Sequence, residues 1–144
     1  MRLVLDSNEF IYAIGPTRLP SCTKLLDLLA LQQDHVVRTD RTIVAEVCRN
    51  MPERHHRAFF GVLDVLLEEG CSIDEEFVVP EDWLQRYLGL GFKEGDAHIG
   101  AYAEVVEADV LISENRRHFH ALAQHLPFKV MDAEQFLKLH TTTR

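Results

Sequence analysis

The chain is expected to fold as an α/β protein, a three-layer α/β/α sandwich on a mainly parallel central sheet. Three observations predict it. Short strand-like runs (Leu3-Val4-Leu5, Val36-Val37-Arg38, Val110-Leu111-Ile112, Lys129-Val130-Met131) alternate with longer segments of helical periodicity, an order that implies parallel strands covered on both faces. Two of those runs end in polar clusters, at Asp6 and at Ser113-Glu114-Asn115, and ligands of such sheets bind beyond the carboxyl ends of the strands. No repeat, low-complexity tract or Pro/Gly/Ser-rich linker divides the 144 residues, so residues 1–144 read as a single domain.

The elements follow in order. Arg2 to Leu5 is a buried strand ended by Asp6. Asn8 can cap a helix that Gly15-Pro16 stops. Cys22, Leu25, Leu26 and Leu29 fall at helical spacing behind Ser21. After the strand at Val36-Val37-Arg38, Thr39 or Asp40 caps a helix with Ile43, Val44, Val47 and Met51 on one side, and Pro52 interrupts it. Phe59, Leu63, Leu66 and Leu67 form the stripe of the next helix, which stops near Gly70. Ser72 to Val79 alternates weakly and is a short strand candidate. Leu84, Tyr87 and Leu88 suggest a short helix. Glu94 to Ala108 reads as a helix whose Ala97, Gly100, Ala101 and Ala103 allow close packing on the sheet. Asp109 to Ile112 is a second buried strand. Arg116 to Leu126 is read as helical, Lys129 to Met131 as the last strand and Ala133 to Leu139 as the last helix.

Composition narrows the function classes. Hydrophobic residues are 47% and charged residues 26%, which suits a globular core and not a disordered chain. No apolar stretch approaches the roughly 18 residues that span a bilayer, and Asp6 arrives too early for a signal peptide. Cys22, Cys48 and Cys71 are odd in number, far apart and without C-x-x-C pairing, against both a disulfide framework and a cysteine-rich structural zinc site. A reducing cytoplasm is the expected location. The 23 acids against 15 Lys and Arg give a net charge of −8, which argues against coating duplex DNA by bulk positive charge and leaves room for a local basic groove.

The chemistry is read from the acids. Asp6 and the cluster Ser113-Glu114-Asn115 share one sheet edge if both strands are central and parallel. Glu46 borders an apolar helical stripe, and Asp96 lies in the first turn of its helix, where the dipole favours negative charge. Carboxylates gathered at the edge of a core repel one another unless a cation compensates them. Oxygen ligands of this kind suit Mg²⁺ or Mn²⁺, which can lower the pKa of a bound water and stabilise charge on a phosphodiester. Singly, each acid also reads as an ordinary strand-end, surface or first-turn residue. The case rests on their arrangement.

These residues also carry a resemblance. Leu3-Val4-Leu5-Asp6-Ser7-Asn8-Glu9-Phe10-Ile11, then Glu46 after an apolar helical start, then Gly95-Asp96-Ala97-His98-Ile99-Gly100-Ala101, then Ala108 to Phe119 with Ser113-Glu114-Asn115-Arg116-Arg117, resemble the PIN-domain ribonucleases in order and spacing over almost the whole chain. In appearance the chain is similar to the VapC-like toxins of type II toxin–antitoxin pairs. The resemblance implies a PIN-like fold and a Mg²⁺- or Mn²⁺-dependent endoribonuclease that leaves a 5′-phosphate. Asp6, Glu46 and Asp96 would be its metal-binding and catalytic carboxylates, and Asn115 a fourth catalytic position. Many members carry Asp at that place, so Ser113, Glu114 or Asn115 would supply the remaining oxygen or position a water. Asn8, Arg116 and Arg117 are the substrate-binding candidates. Glu9, unusual after the Asp-x-Asn start, either adds charge to the site or faces solvent. The implied partners are an RNA substrate, a small antitoxin protein and a second copy in a homodimer, with Phe59, Phe60 and the helix around Tyr87 as contacts. No membrane is implied.

Arg49, Arg54, His55, His56 and Arg57 form one basic run, and Arg116, Arg117, His118 and His120 another beside the fourth acid position. Each reads either as an RNA-backbone contact or as a solvated face, and the second is favoured as a contact because a helix N-terminus there would add to it. The eight histidines lack H-E-x-x-H spacing, against a dedicated zinc site. Phe59, Phe60, Phe119, Phe136 and Trp83 are read as packing residues. The alternative to an enzyme is a PIN-like scaffold of weak or no activity that binds RNA or a protein partner. A phosphorylated receiver domain would need a central acceptor Asp on a middle strand, where this chain is helical in pattern.

Overall fold

A computed structural model describes residues 1–32, 34–67, 73–74 and 78–141, the side chains of Arg116 and Thr141 excepted. Four strands, β1 (Arg2–Leu5), β2 (Val36–Arg38), β3 (Val110–Ile112) and β4 (Lys129–Met131), form one sheet in the order β2-β1-β3-β4. Every pairing is parallel, with Leu3 opposite Val37 and Val110, and Leu111 opposite Val130. Parallel pairing brings all four carboxyl ends to one edge.

Alternation along each strand divides the core. Leu3, Leu5, Val37, Val110 and Ile112 face a layer made by α1 (Ser7–Ile14), α2 (Pro20–Leu31), the Val47 side of α3 (Arg41–Arg49), α4 (His56–Leu66) and α7 (Ala133–Thr141). Val4 and Leu111 face the other layer, with Ile43, α5 (Glu81–Gly89) and α6 (Glu94–Val105). The result is the expected three-layer α/β/α sandwich.

Local chemistry sets the boundaries. Pro20 opens α2 at the first turn, where no amide partner is lost. The Asp40 carboxylate accepts from the Ile43 amide at 2.9 Å and caps α3. Asp132 and Gln135 cap α7 reciprocally, the Gln135 amide donating to Asp132 at 2.7 Å and the Asp132 amide to Gln135 Oε1 at 2.9 Å. Half of the 72–79 segment and the stop near Gly70 lie outside the described residues. Asp74 makes a single parallel bridge to Asp40.

Two expectations are corrected. Arg116 to Leu126 is not one helix but a π-helical turn, Arg116–His120, and a 3₁₀ turn, Ala123–His125. Asn115 Oδ1 accepts from the His118 amide at 3.1 Å, and a His120 ring nitrogen lies 2.8 Å from the Ser113 carbonyl. These ties hold the segment on the end of β3 and divert it from α-helical spacing. Phe60 is 43% exposed, whereas Phe59, Phe119 and Phe136 are fully buried. Neighbouring helical residues point about 100° apart, so Phe59 and Phe60 cannot share one face.

Gly100 lets α6 meet α5. A Cβ there would stand 2.6 Å from Tyr87 Cε2, and the ring cannot retreat freely because its hydroxyl donates to Glu104 Oε1 at 2.8 Å. Gly100→Ala should therefore lower stability by about 1–3 kcal/mol, overpacking outweighing the better helix propensity of alanine. A shift of the denaturation midpoint to lower urea checks this.

Candidate active site

From β1 the chain turns to β2 on one side, and later to β3 and β4 on the other, so the strand order reverses between β1 and β3. The crevice beyond the carboxyl ends at that switch point is where open α/β sheets bind ligands. Asp6 follows β1 and Ser113 follows β3. The Ser113 hydroxyl donates to Asp6 Oδ2 across the crevice at 2.6 Å, and Ser7 Oγ lies 3.4 Å from the other oxygen. Asp6 is only 3% exposed. Burial pushes its carboxyl up to about 7; the Ser113 bond opposes this, and the carboxylates of Asp96 and Glu46 raise it further.

Two helices carry the other acids. Glu46 lies on α3 with Oε1 3.6 Å from where a Cβ on Gly95 would stand, one residue from Asp96 on α6. The two helices are clamped below the acids: Asp40, which caps α3, places its second oxygen 2.6 Å from His98 Nε2 on α6. His98 points away from Asp96, as its spacing implies, and the sequence offers no sign of its partner 58 residues earlier. Behind this clamp Asp74 accepts from Arg38 at 2.8 Å and from the Tyr102 hydroxyl at 2.5 Å.

Asn115 donates to Asp96 Oδ2 at 3.1 Å. His118 Nδ1 lies 3.2 Å from the same oxygen. Sequence reading placed His118 in a basic run; only the π-helical turn brings it to the acid. Asp6, Glu46, Asp96, Ser113 and Asn115 thus meet at one edge.

Other candidates are placed differently. Glu114 turns away, its Oε2 accepting from the Ala133 amide at the start of α7 at 3.0 Å. Glu9 neither faces solvent nor brings an ordinary charge: it is 0% exposed, and burial, followed by the neighbouring Glu114 and Asp6, pushes its carboxyl up to about 10. Asn8 Oδ1 makes only a long contact, 3.5 Å, with the Glu114 amide. Arg117 is exposed. The five-residue π turn at Arg116–His120 supplies no helix N-terminus for phosphate, so any role of this run rests on charge alone. In the first basic run, His56 Nε2 lies 2.9 Å from the Cys48 carbonyl and 3.0 Å from that of Met51, tying α4 to the end of α3, while Arg49, Arg54 and Arg57 are exposed. Arg49 lines a cleft of about 330 Å³ with Thr42, Leu84, Glu94, Gly95 and His98, beside Glu46.

The donor set fits a hard divalent cation. Its members are carboxylate oxygens, and two of them raise the pKa of a third, a repulsion that a cation reverses. The oxygens of Asp6, Glu46 and Asp96 are not all within 4.8 Å of one another; among the described residues the group that is comprises Glu9, Cys22 and Glu114. An all-protein cage is therefore not formed at the edge. Mg²⁺ characteristically keeps several waters and uses one or two direct carboxylates, which suits this spacing.

No protein-family model and no curated protein matches the chain. Solved structures do. VapBC2 from Rickettsia felis, bound to a DNA fragment from their promoter, contains a chain similar in fold, with TM-score 0.60 and 19% identity over 92% of this chain and 98% of that one. FitAcB from Neisseria gonorrhoeae contains another, with TM-score 0.63 and 14% identity over the same shares. At this identity the likeness is one of fold, a PIN-like α/β/α sandwich.

Proposed function

We propose that the chain is a divalent-metal-dependent endoribonuclease that acts as the toxin of a toxin–antitoxin pair. The observation that carries the reading is the Asp6 carboxyl at the switch point of the sheet, pushed up to about 7 by burial and then by the nearby Asp96 and Glu46. Carboxylates with shifted pKa values in a ligand-binding crevice cluster at metal and catalytic sites. The fold shared with chains of two toxin–antitoxin complexes adds support.

Asp6, Glu46 and Asp96 would hold Mg²⁺ or Mn²⁺, which when bound supplies an activated water and neutralises charge on the scissile phosphodiester. Ser113 orients Asp6 by a buried hydrogen bond. Asn115 and His118 orient Asp96. Asp40 and His98 hold α3 and α6 at the separation Glu46 and Asp96 need. The exposed Arg49 and Arg117, with Arg116 and Asn8, are the candidates for gripping the RNA backbone. The partner expected is a small antitoxin that covers the acid edge. Phe60, 43% exposed on α4, is the aromatic side chain offered to a second copy; Phe59 and Tyr87 are buried and unavailable. The expected location is the cytoplasm; among the described residues no helix is long and apolar enough to cross a membrane.

The test is cleavage of RNA by the pure chain, present with Mg²⁺ or Mn²⁺ and abolished by EDTA, paired with growth arrest on expression in a bacterial host. Absence of both defeats the proposal and favours an inactive scaffold. That second reading draws on Asn115, whose neutral amide, not a fourth carboxylate, contacts Asp96. Ser113→Ala removes the donor on Asp6, and by analogy with other outer-shell partners should weaken Mn²⁺ activation by about 10–100-fold. A Mn²⁺ titration of the cleavage rate checks it.

A further inference from the structure

We infer that Glu9, Cys22 and Glu114 form a second cation site, separate from the Asp6–Asp96 edge, for a thiophilic divalent ion of the Zn²⁺ class. The three lie on α1, on α2 and just beyond β3, remote in sequence, yet their ligating atoms fall within 4.8 Å of one another. Cys22 Sγ is 3.7 Å from Glu9 Oε1. Zinc bonded to sulfur at about 2.3 Å and to oxygen at about 2.0–2.2 Å, with tetrahedral angles, sets those two atoms about 3.6 Å apart. The pair is therefore already at the length of a coordination edge.

A second observation is independent of the spacing. Glu9 is 0% exposed, its side chain ends between Cys22 and Glu114, and its Oε2 accepts no hydrogen bond; its side-chain partners are themselves acidic, the Cys22 thiol and the Glu114 carboxyl. A wholly buried carboxyl that meets only other acidic groups is costly to ionise without a cation. Cys22 is also 0% exposed. Glu114 is fixed by the Ala133 amide at 3.0 Å, so the ligands are mounted on packed elements and one is held from outside.

Without an ion the group survives by keeping a proton on Glu9 and one on Cys22. Binding exchanges them: the ion forms bonds to the Glu9 carboxylate, the Cys22 thiolate and the Glu114 carboxylate, and the Glu9 and Cys22 protons pass to buffer. A fourth tetrahedral position is left for water. The thiolate selects Zn²⁺ or Co²⁺ over Mg²⁺, whereas the all-oxygen edge at Asp6 does the reverse. The two sites are thus chemically distinguishable.

The experiment uses the reduced, EDTA-treated full chain and titrates it with Co²⁺. The expected result is a near-ultraviolet thiolate-to-cobalt charge-transfer band that saturates at one equivalent, is quenched by Zn²⁺ and ignores Mg²⁺. Calorimetry with Zn²⁺ in buffers of different ionisation enthalpy should show release of about two protons. Cys22→Ser and Glu9→Gln should lose the band, and Asp96→Asn should keep it. If Cys22→Ser does not fold by circular dichroism, Glu9→Gln and Glu114→Gln carry the test. No thiolate band in the parent chain, a band that survives in folded Cys22→Ser and so comes from another cysteine, or a band lost in Asp96→Asn would overturn the site.

Discussion

Asp96→Asn and Asp6→Asn each lower metal-dependent RNA cleavage by about a hundredfold to a thousandfold, the scale on which removing one preorganised electrostatic group acts, while the protein becomes no less stable. The pairing of these two outcomes is what makes the prediction specific. Burial raises the Asp6 carboxyl most and Asp96 adds to it through like charge, so removing that charge lowers Asp6 in part and relieves the repulsion in the metal-free fold. An acid that merely supported the fold would do the opposite, and its loss would cost stability. Loss of function with retained or increased stability is the signature of residues held in a strained arrangement for chemistry. The measurements are initial cleavage rates with saturating Mn²⁺ and urea unfolding in EDTA, on the same preparations. Parent-like cleavage by both variants would remove the mechanism.

The metal-free protein loses stability as the pH rises, by an amount that Glu9 dominates on the alkaline side. The ordinary glutamate value of 4.5 applies to the unfolded chain, and the folded carboxyl is pushed up to about 10 by burial and then by Glu114 and Asp6, with Cys22 opposing. Between those values the folded state holds a proton that the unfolded state releases. Stability is therefore fully present below the lower value and declines with each unit of pH up to the upper one, by at most about 1.4 kcal/mol per unit. Asp6 adds a second decline of the same sign between 3.8 and about 7. From about pH 7 to about pH 9 the Glu9 contribution is of order 3 kcal/mol. Glu9→Gln cannot ionise and should flatten that interval, leaving at lower pH only the Asp6 part of the decline, between 3.8 and about 7. Urea midpoints in EDTA across the range decide it: a parent chain with pH-independent stability, or a Glu9→Gln variant with the parent slope, contradicts the assignment.

The strands at Arg2–Leu5, Val36–Arg38, Val110–Ile112 and Lys129–Met131, the cap at Asp40 and the helix starting at Glu94 were legible in the chain. Each is dictated by neighbours in sequence: an apolar run, a short polar side chain before a helix, or a period of two or of nearly four. Alternating strands and helices carried the three-layer architecture as well, because parallel strands need crossovers and both faces need cover. Asp6 and Ser113 were legible as strand ends for the same reason.

What packing alone decided concerns groups distant in the polymer. The Ser113 bond to Asp6 spans 107 positions and the His98 bond to Asp40 spans 58. The turn at Arg116–His120 departs from helical spacing because His120 and Asn115 are tied to the end of β3, which moves His118 onto Asp96. Glu9 has an ordinary helical pattern around it, and only the closing of α2 and the Glu114 loop over it removes water and makes its charge untenable. Periodicity reports which side of an element is apolar. It holds no information on which polar atom is met when that side closes, and the strength of an electrostatic interaction is set by that distance and by the water excluded around it.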